Sequence, residues 1–199
     1  ADLGRQYEKL IRINSQSGKG GVVFVLEKEF GIYPPKTMHP EIGAVVQRYV
    51  DEKGGEINST ELHRIFQEAF VNVGGPYRME NYSRASVGER SGATFTWFVN
   101  DIPHELIGQG NGPLSAVVHA LKGSGLMPFF KVEDFSERSL GKDADAHAIA
   151  FVGLRCGPDT EHTRLVYGAG EHSNIDRAAI AALVSAMNRA VAAGAIPRP

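Results

Sequence analysis

The sequence is nearly free of cysteine. Cys156 stands alone among 199 residues, which excludes an internal disulfide and fits a reducing compartment such as the cytoplasm. Neither sign of charge dominates, with 21 Lys and Arg against 23 Asp and Glu, and there is no basic run or acidic tail. Nucleic acid and anionic membrane surfaces are therefore not the expected partners. No apolar stretch approaches the ~18 residues of a membrane span. The start, Ala1-Asp2-Leu3-Gly4-Arg5, has no signal-peptide layout and no initiating methionine, as expected of a segment of a longer polypeptide.

Catalytic signatures are missing too. The seven histidines form no HxH or HExxH pair. Ser15, Ser17 and Ser115 lack a nucleophile-elbow context, and Cys156 lacks a positioned histidine. Ser17-Gly18-Lys19-Gly20 resembles part of a phosphate loop, but Ile13 stands where its first glycine belongs and Gly20 where Ser or Thr must follow the lysine. A polar turn over Asn14–Gly21 is the simpler expectation. Asp143, Asp145 and His147 alternate and would share one strand face, which leaves a divalent-metal site and a solvated face both open. On the opposite face, Ala144, Ala146, Ala148 and Ala150 leave room for a close helix or an apolar ligand.

What is present is a globular composition, 42% hydrophobic, sized for one large or two small domains. Residues 1–75 read as a mostly helical subdomain: a strand over Tyr7–Ile13, then helices over Val22–Phe30, Glu41–Glu52 and from Asn58 to about Val71. Asn58 is the expected cap of the last, with Glu61 three residues on and Ile57 stapling to Leu62. Gly74-Gly75-Pro76 is the expected boundary.

Residues 76–199 change rhythm. Strands are expected at Tyr77–Ala85, Ala93–Val99 and His104–Ile107, with turns at Gly88–Gly92 and Asn100-Asp101. A helix follows with Leu114, Val117, Val118 and Leu121 on one stripe. The order then repeats: Phe129–Phe135, Ala146–Arg155 and Thr163–Tyr167, then a helix striped by Ile180, Leu183, Val184, Met187 and Val191. Ile107-Gly108-Gln109-Gly110 recurs as Tyr167-Gly168-Ala169-Gly170, 60 positions later. The fold class is therefore α+β, a helical subdomain followed by a pseudo-twofold (βββα)2 domain. Such a module is a fair dimer candidate.

Gly110, Asn111 and Gly112 precede Pro113 at a helix start, where free amides at the positive dipole end suit an anion. A tight connection with no ligand explains the same motif. The second helix start, Asn174-Ile175-Asp176, makes it possible for two helix N-termini to face one small carboxylate.

Leu3-Gly4-Arg5-Gln6-Tyr7-Glu8, Ile11 to Gly21, Gly108 to His119 (GQGNGPLSAVVH) and Leu183 to Ala190 (LVSAMNRA) resemble the linker and regulatory domain of the alpha-isopropylmalate synthases, across essentially the whole chain. The resemblance implies a parent that condenses acetyl-CoA with 2-oxoisovalerate in a separate TIM barrel holding a divalent metal. It implies no catalytic residue, cofactor or metal in these residues, and L-leucine bound for feedback inhibition at a homodimer interface. The matching effector positions are Leu114, Val132, Phe135, Ser139, Ala146, Ala148 and Ile175. Phe135 stands where the family also uses tyrosine, and Ser139 where it uses alanine. Backbone carbonyls or an acid such as Asp134 are expected to take the ammonium. Citramalate synthases share the architecture, so an isoleucine-binding domain is one alternative. A purely structural dimerisation module is the other.

Overall fold

The computed structural model describes residues 18–141, 146–158 and 161–199, with the side chains of Gly18, Lys19 and Val87 left aside. The expected strand at Tyr7–Ile13 lies outside the described residues. The chain divides into two compact units, the first ending at Phe66 and the second covering Gln67–Pro199.

The first unit holds α1 (Gly18–Phe30), a short 3-10 turn (Lys36–Met38), α2 (His39–Lys53) and the start of α3 (Ser59–Phe70). The polar turn expected through Gly21 is corrected here, because α1 already begins at Gly18. Val22, Val23, Val25 and Leu26 are all buried. Each buried branched side chain gains about 1.5–3 kcal/mol. That outweighs the ~1 kcal/mol cost of a helical glycine. Asn58 caps α3 as expected, its Oδ1 accepting from the Glu61 N–H at 2.8 Å.

The second unit contains β1 (Tyr77–Val87), β2 (Arg90–Val99), β3 (Ile102–Gly110), α4 (Pro113–Gly123), β4 (Phe130–Leu140), β5 (His147–Cys156), β6 (Arg164–His172) and α5 (Ile175–Ala192). Two three-stranded antiparallel sheets, β1-β2-β3 and β4-β5-β6, are each followed by one helix, which is the (βββα)2 plan. The turn expected at Asn100-Asp101 is a tight hairpin in which both residues have positive φ, 48° and 65°. The repeated glycine motifs, Gly108–Gly110 and Gly168–Gly170, lie within β3 and β6. Glycine sits there because a helix lies on it. A Cβ on Gly108 would come within 2.1 Å of the Ala116 carbonyl oxygen, and one on Gly170 within 2.2 Å of the Ala178 oxygen.

A single core joins both repeats. Ala93, Phe95 and Trp97 of β2, Ala148, Ala150, Val152 and Leu154 of β5, and Val117, Leu121, Leu183 and Met187 of the helices belong to one buried cluster. Asn188, 2% exposed, fastens α5 to the strand entry: it accepts from the Tyr77 N–H at 3.0 Å and donates to the Val73 and Tyr77 carbonyls, each at 2.9 Å. No helix among the described residues is long and apolar enough to cross a membrane.

Candidate functional site

The starts of α4 and α5 differ in what they leave free. Gly112 is the N-cap of α4, extended at φ −170° and ψ 178°, and it offers no side-chain acceptor. Pro113 occupies the first helical turn, and the Ala116 N–H reaches Gly112 O at 2.9 Å. The Leu114 and Ser115 amides come before any intrahelical acceptor, at the positive end of the helix dipole. At α5 the Asn174 Oδ1 already accepts the Arg177 N–H at 3.1 Å, and Asp176 adds a negative charge to the first turn. Of the two helix starts expected to share a carboxylate, α4 is the one with neither a side-chain cap nor an acid in its first turn.

The sheet β4-β5-β6 brings several expected residues onto one face. Val132 pairs with Leu154, Phe135 with Val152 and Ser139 with Ala148, and those partners are every second residue of β5. Ala148 is buried, Leu114 and Val132 are partly buried against the core, Phe135 is 41% exposed and Ser139 is exposed. Ile175 is the first residue of α5 and 45% exposed. Ala146 lies just before β5 and is exposed, as is Asn111, while Gly110 closes β3 against Ser115 and Ala116. Val132, Phe135, Ser139 and Ala148 thus share one face of the β4-β5-β6 sheet, an apolar shelf on which Phe135 and Ser139 are exposed.

A bulge decides which acid shares that shelf. The register slips between Val132 and Asp134, so Asp134 pairs with Gly153 on the opposite face. There its Oδ2 accepts from the Tyr167 hydroxyl at 2.6 Å. The expected ammonium partner Asp134 is thus corrected. Glu137, paired with Ala150 between Phe135 and Ser139, is the acid on the shelf face. Burial first, and then the Asp176 carboxylate, push its carboxyl pKa up. Asp176 is itself held by Arg84 Nε at 2.6 Å. Glu137 was legible by alternation from Phe135 and Ser139, whereas the bulge that turns Asp134 away was not.

The alternating Asp143 and Asp145 lie outside the described residues. His147 Nε2 stands 3.6 Å from Glu171 Oε2, and among the described residues no group of three His, Cys, Asp or Glu is placed to hold a metal ion. Three cavities of about 430, 440 and 630 Å³ are lined by described residues of the second unit, and none of these three includes an expected effector residue.

Residues 56–191 match the profile of the LeuA allosteric (dimerisation) domain, and residues 1–27 that of the alpha-isopropylmalate synthase post-catalytic domain-like family. The 2-isopropylmalate synthase of Azoarcus sp. (strain BH72) is 38% identical over 95% of this chain and 32% of that protein. That of Paraburkholderia xenovorans is 36% identical over 96% of the chain and 32% of the protein. That of Clostridium acetobutylicum is 34% identical over 94% and 34%. The chain spans about a third of the length of these relatives. With the profile covering residues 56–191, more than half of the chain and most of the repeat module, the chain belongs to the LeuA allosteric (dimerisation) domain family.

Proposed function

We propose that this chain is the regulatory portion of a cytoplasmic 2-isopropylmalate synthase, working as a homodimer and binding L-leucine for feedback inhibition. The acyl transfer from acetyl-CoA to 2-oxoisovalerate, with its divalent metal, belongs to a catalytic barrel outside these residues. The chain by itself is inactive in that reaction. The observation that supports the reading is the shared face of Val132, Phe135, Ser139 and Ala148, taken together with an α4 start that has no side-chain cap. Small and branched side chains enclose an isobutyl group, and the Leu114 and Ser115 amides take the carboxylate. Glu137 is the acid placed for the ammonium. The exposure of Phe135 and Ile175 supports a site completed by a second copy of the chain. Inhibition then requires leucine to prefer one global state, with a coupling of about 1–3 kcal/mol.

Titrating the purified chain by calorimetry with L-leucine, L-isoleucine and L-valine tests this. Saturable binding with leucine tightest is the expected result. An isoleucine preference moves the parent to citramalate synthase, and no binding leaves a structural dimerisation module.

The raised Glu137 pKa makes leucine binding pH-dependent. Between the ordinary carboxyl range and its raised value, Glu137 in the free site still holds a proton, and an ammonium must displace it. Affinity is therefore expected to rise with pH through that window and level off above it. Glu137→Gln is expected to weaken leucine by about tenfold at neutral pH, the scale of one charge-assisted hydrogen bond, and to flatten the pH profile. An unchanged slope in the Gln variant assigns the ammonium elsewhere.

A further inference from the structure

We propose that the cleft between β1 and α5 is a second small-molecule site, which takes a short apolar carboxylate lacking an ammonium group. The cleft is a cavity of about 440 Å³ within the second unit. That volume lies in the range of ligand pockets. Its apolar side includes Met79 and Tyr82 of β1 and Ile180 and Val184 of α5. Its polar side includes Arg177 and His172.

The polar groups are donors, of which Arg177 and His172 are exposed at the mouth of the cleft and Tyr82 is enclosed. Arg177 gives Nη2 to the Tyr82 carbonyl at 3.3 Å, and among the described residues it forms no ion pair. The two nearby carboxylates are already engaged, Glu80 by Arg78 and Asp176 by Arg84. His172 Nδ1 accepts the Asn174 N–H at 2.9 Å, which fixes the tautomer that carries its proton on Nε2. Tyr82 has an enclosed hydroxyl that makes no hydrogen bond of ordinary geometry, with the Arg84 guanidinium and the Asp176 carboxylate nearby. One carboxylate would answer all three groups, and an ammonium would find no unengaged acid.

The pseudo-twofold gives this cleft a counterpart. Met79 pairs with Trp97 as Val132 pairs with Leu154, and Arg84 with Ala93 as Glu137 with Ala150. Between those points each strand carries an extra residue, followed on the core side by an aromatic, Tyr82 in one repeat and Phe135 in the other. The cleft thus uses Met79 and Tyr82, the strand counterparts of Val132 and Phe135 on the leucine shelf. This parallel rests on the leucine reading; the cavity and its donors do not.

The test is a methyl-region NMR titration of the full chain with 4-methylpentanoate, its neutral amide 4-methylpentanamide, and L-leucine. The acid is expected to shift the Met79, Ile180 and Val184 methyls saturably and to bind about tenfold more tightly than the amide. Arg177→Ala should lose about the same factor, and Val184→Trp, which fills the cavity without changing charge, should remove binding. Thermal melts of both variants confirm that they fold. The acid should still bind Gly112→Asp, in which the leucine site is blocked, so the two readings fail separately. Equal binding of acid and amide, no effect of Arg177→Ala, or shifts confined to Leu114 and Val132 overturns the proposal.

Discussion

Gly112→Asp is expected to bind leucine at least about a hundredfold more weakly than the parent chain while melting at the same temperature or slightly higher. The two halves of that result have separate causes. Gly112 is extended rather than left-handed, and a Cβ built there meets nothing within 4 Å, so an aspartate fits. Aspartate is also a better N-cap than glycine and complements the helix dipole. The same properties ruin the site. The new carboxylate takes the amides that the ligand carboxylate needs and places a like charge against it. Two such charges about 4 Å apart near a protein surface repel by about 4 kcal/mol before screening. Half of that is already about thirtyfold, and the loss of the amides to the new side chain adds to it. Calorimetry with leucine beside a thermal melt reads both halves. Leucine affinity within a few-fold of the parent would remove Gly110–Leu114 from the site.

The alternation, capping and stripe arguments placed every strand and helix of the second unit, because those patterns are set by burial on one face. They failed where small residues are read as punctuation. Gly108, Gly168 and Gly170 fall outside the expected strands, yet they extend β3 and β6 because an overlying helix leaves no space for a side chain. The repeat was visible but misaligned. Matching the Gly-x-Gly letters pairs Gly108 with Gly168, whereas the structure makes Gly170 the counterpart, each lying under the fourth residue of its helix, Ala116 or Ala178. The far half of β4, Ser136–Ser139, carries no apolar alternation and is held as strand by its register with β5. Long-range pairing of that kind has no local signature. The proposed leucine shelf inherits this: its residue types were legible through the family resemblance, but the bulge that turns Asp134 away depends on the register with β5.

Gly168→Ala is expected to be the most damaging single methyl in the second unit. A Cβ at Gly168 would lie 2.1 Å from the Ala186 nitrogen, 2.6 Å from its Cα and 2.7 Å from the Ala182 oxygen. All three are backbone atoms of α5, so no side-chain rotation relieves the overlap and the helix itself must retreat. Overpacking of this kind costs about 1–3 kcal/mol, and more where the obstacle is rigid. A melting temperature lower by about 5–10 °C follows for a domain of this size. Gly123→Ala at the end of α4 is the matched control: nothing lies within 4 Å of its Cβ, so the same methyl is expected to be neutral or mildly stabilising. Ala186→Gly should not rescue Gly168→Ala, because the clash is with backbone that glycine also has. The displacement also reaches function. Gly168 and Gly170 set how closely α5 lies on β6, and α5 begins at Ile175 of the proposed leucine site. Leucine affinity should therefore fall together with stability in Gly168→Ala. If the melt drops and the affinity does not, Ile175 is not part of the site, which is then built from α4, β4 and β5 alone.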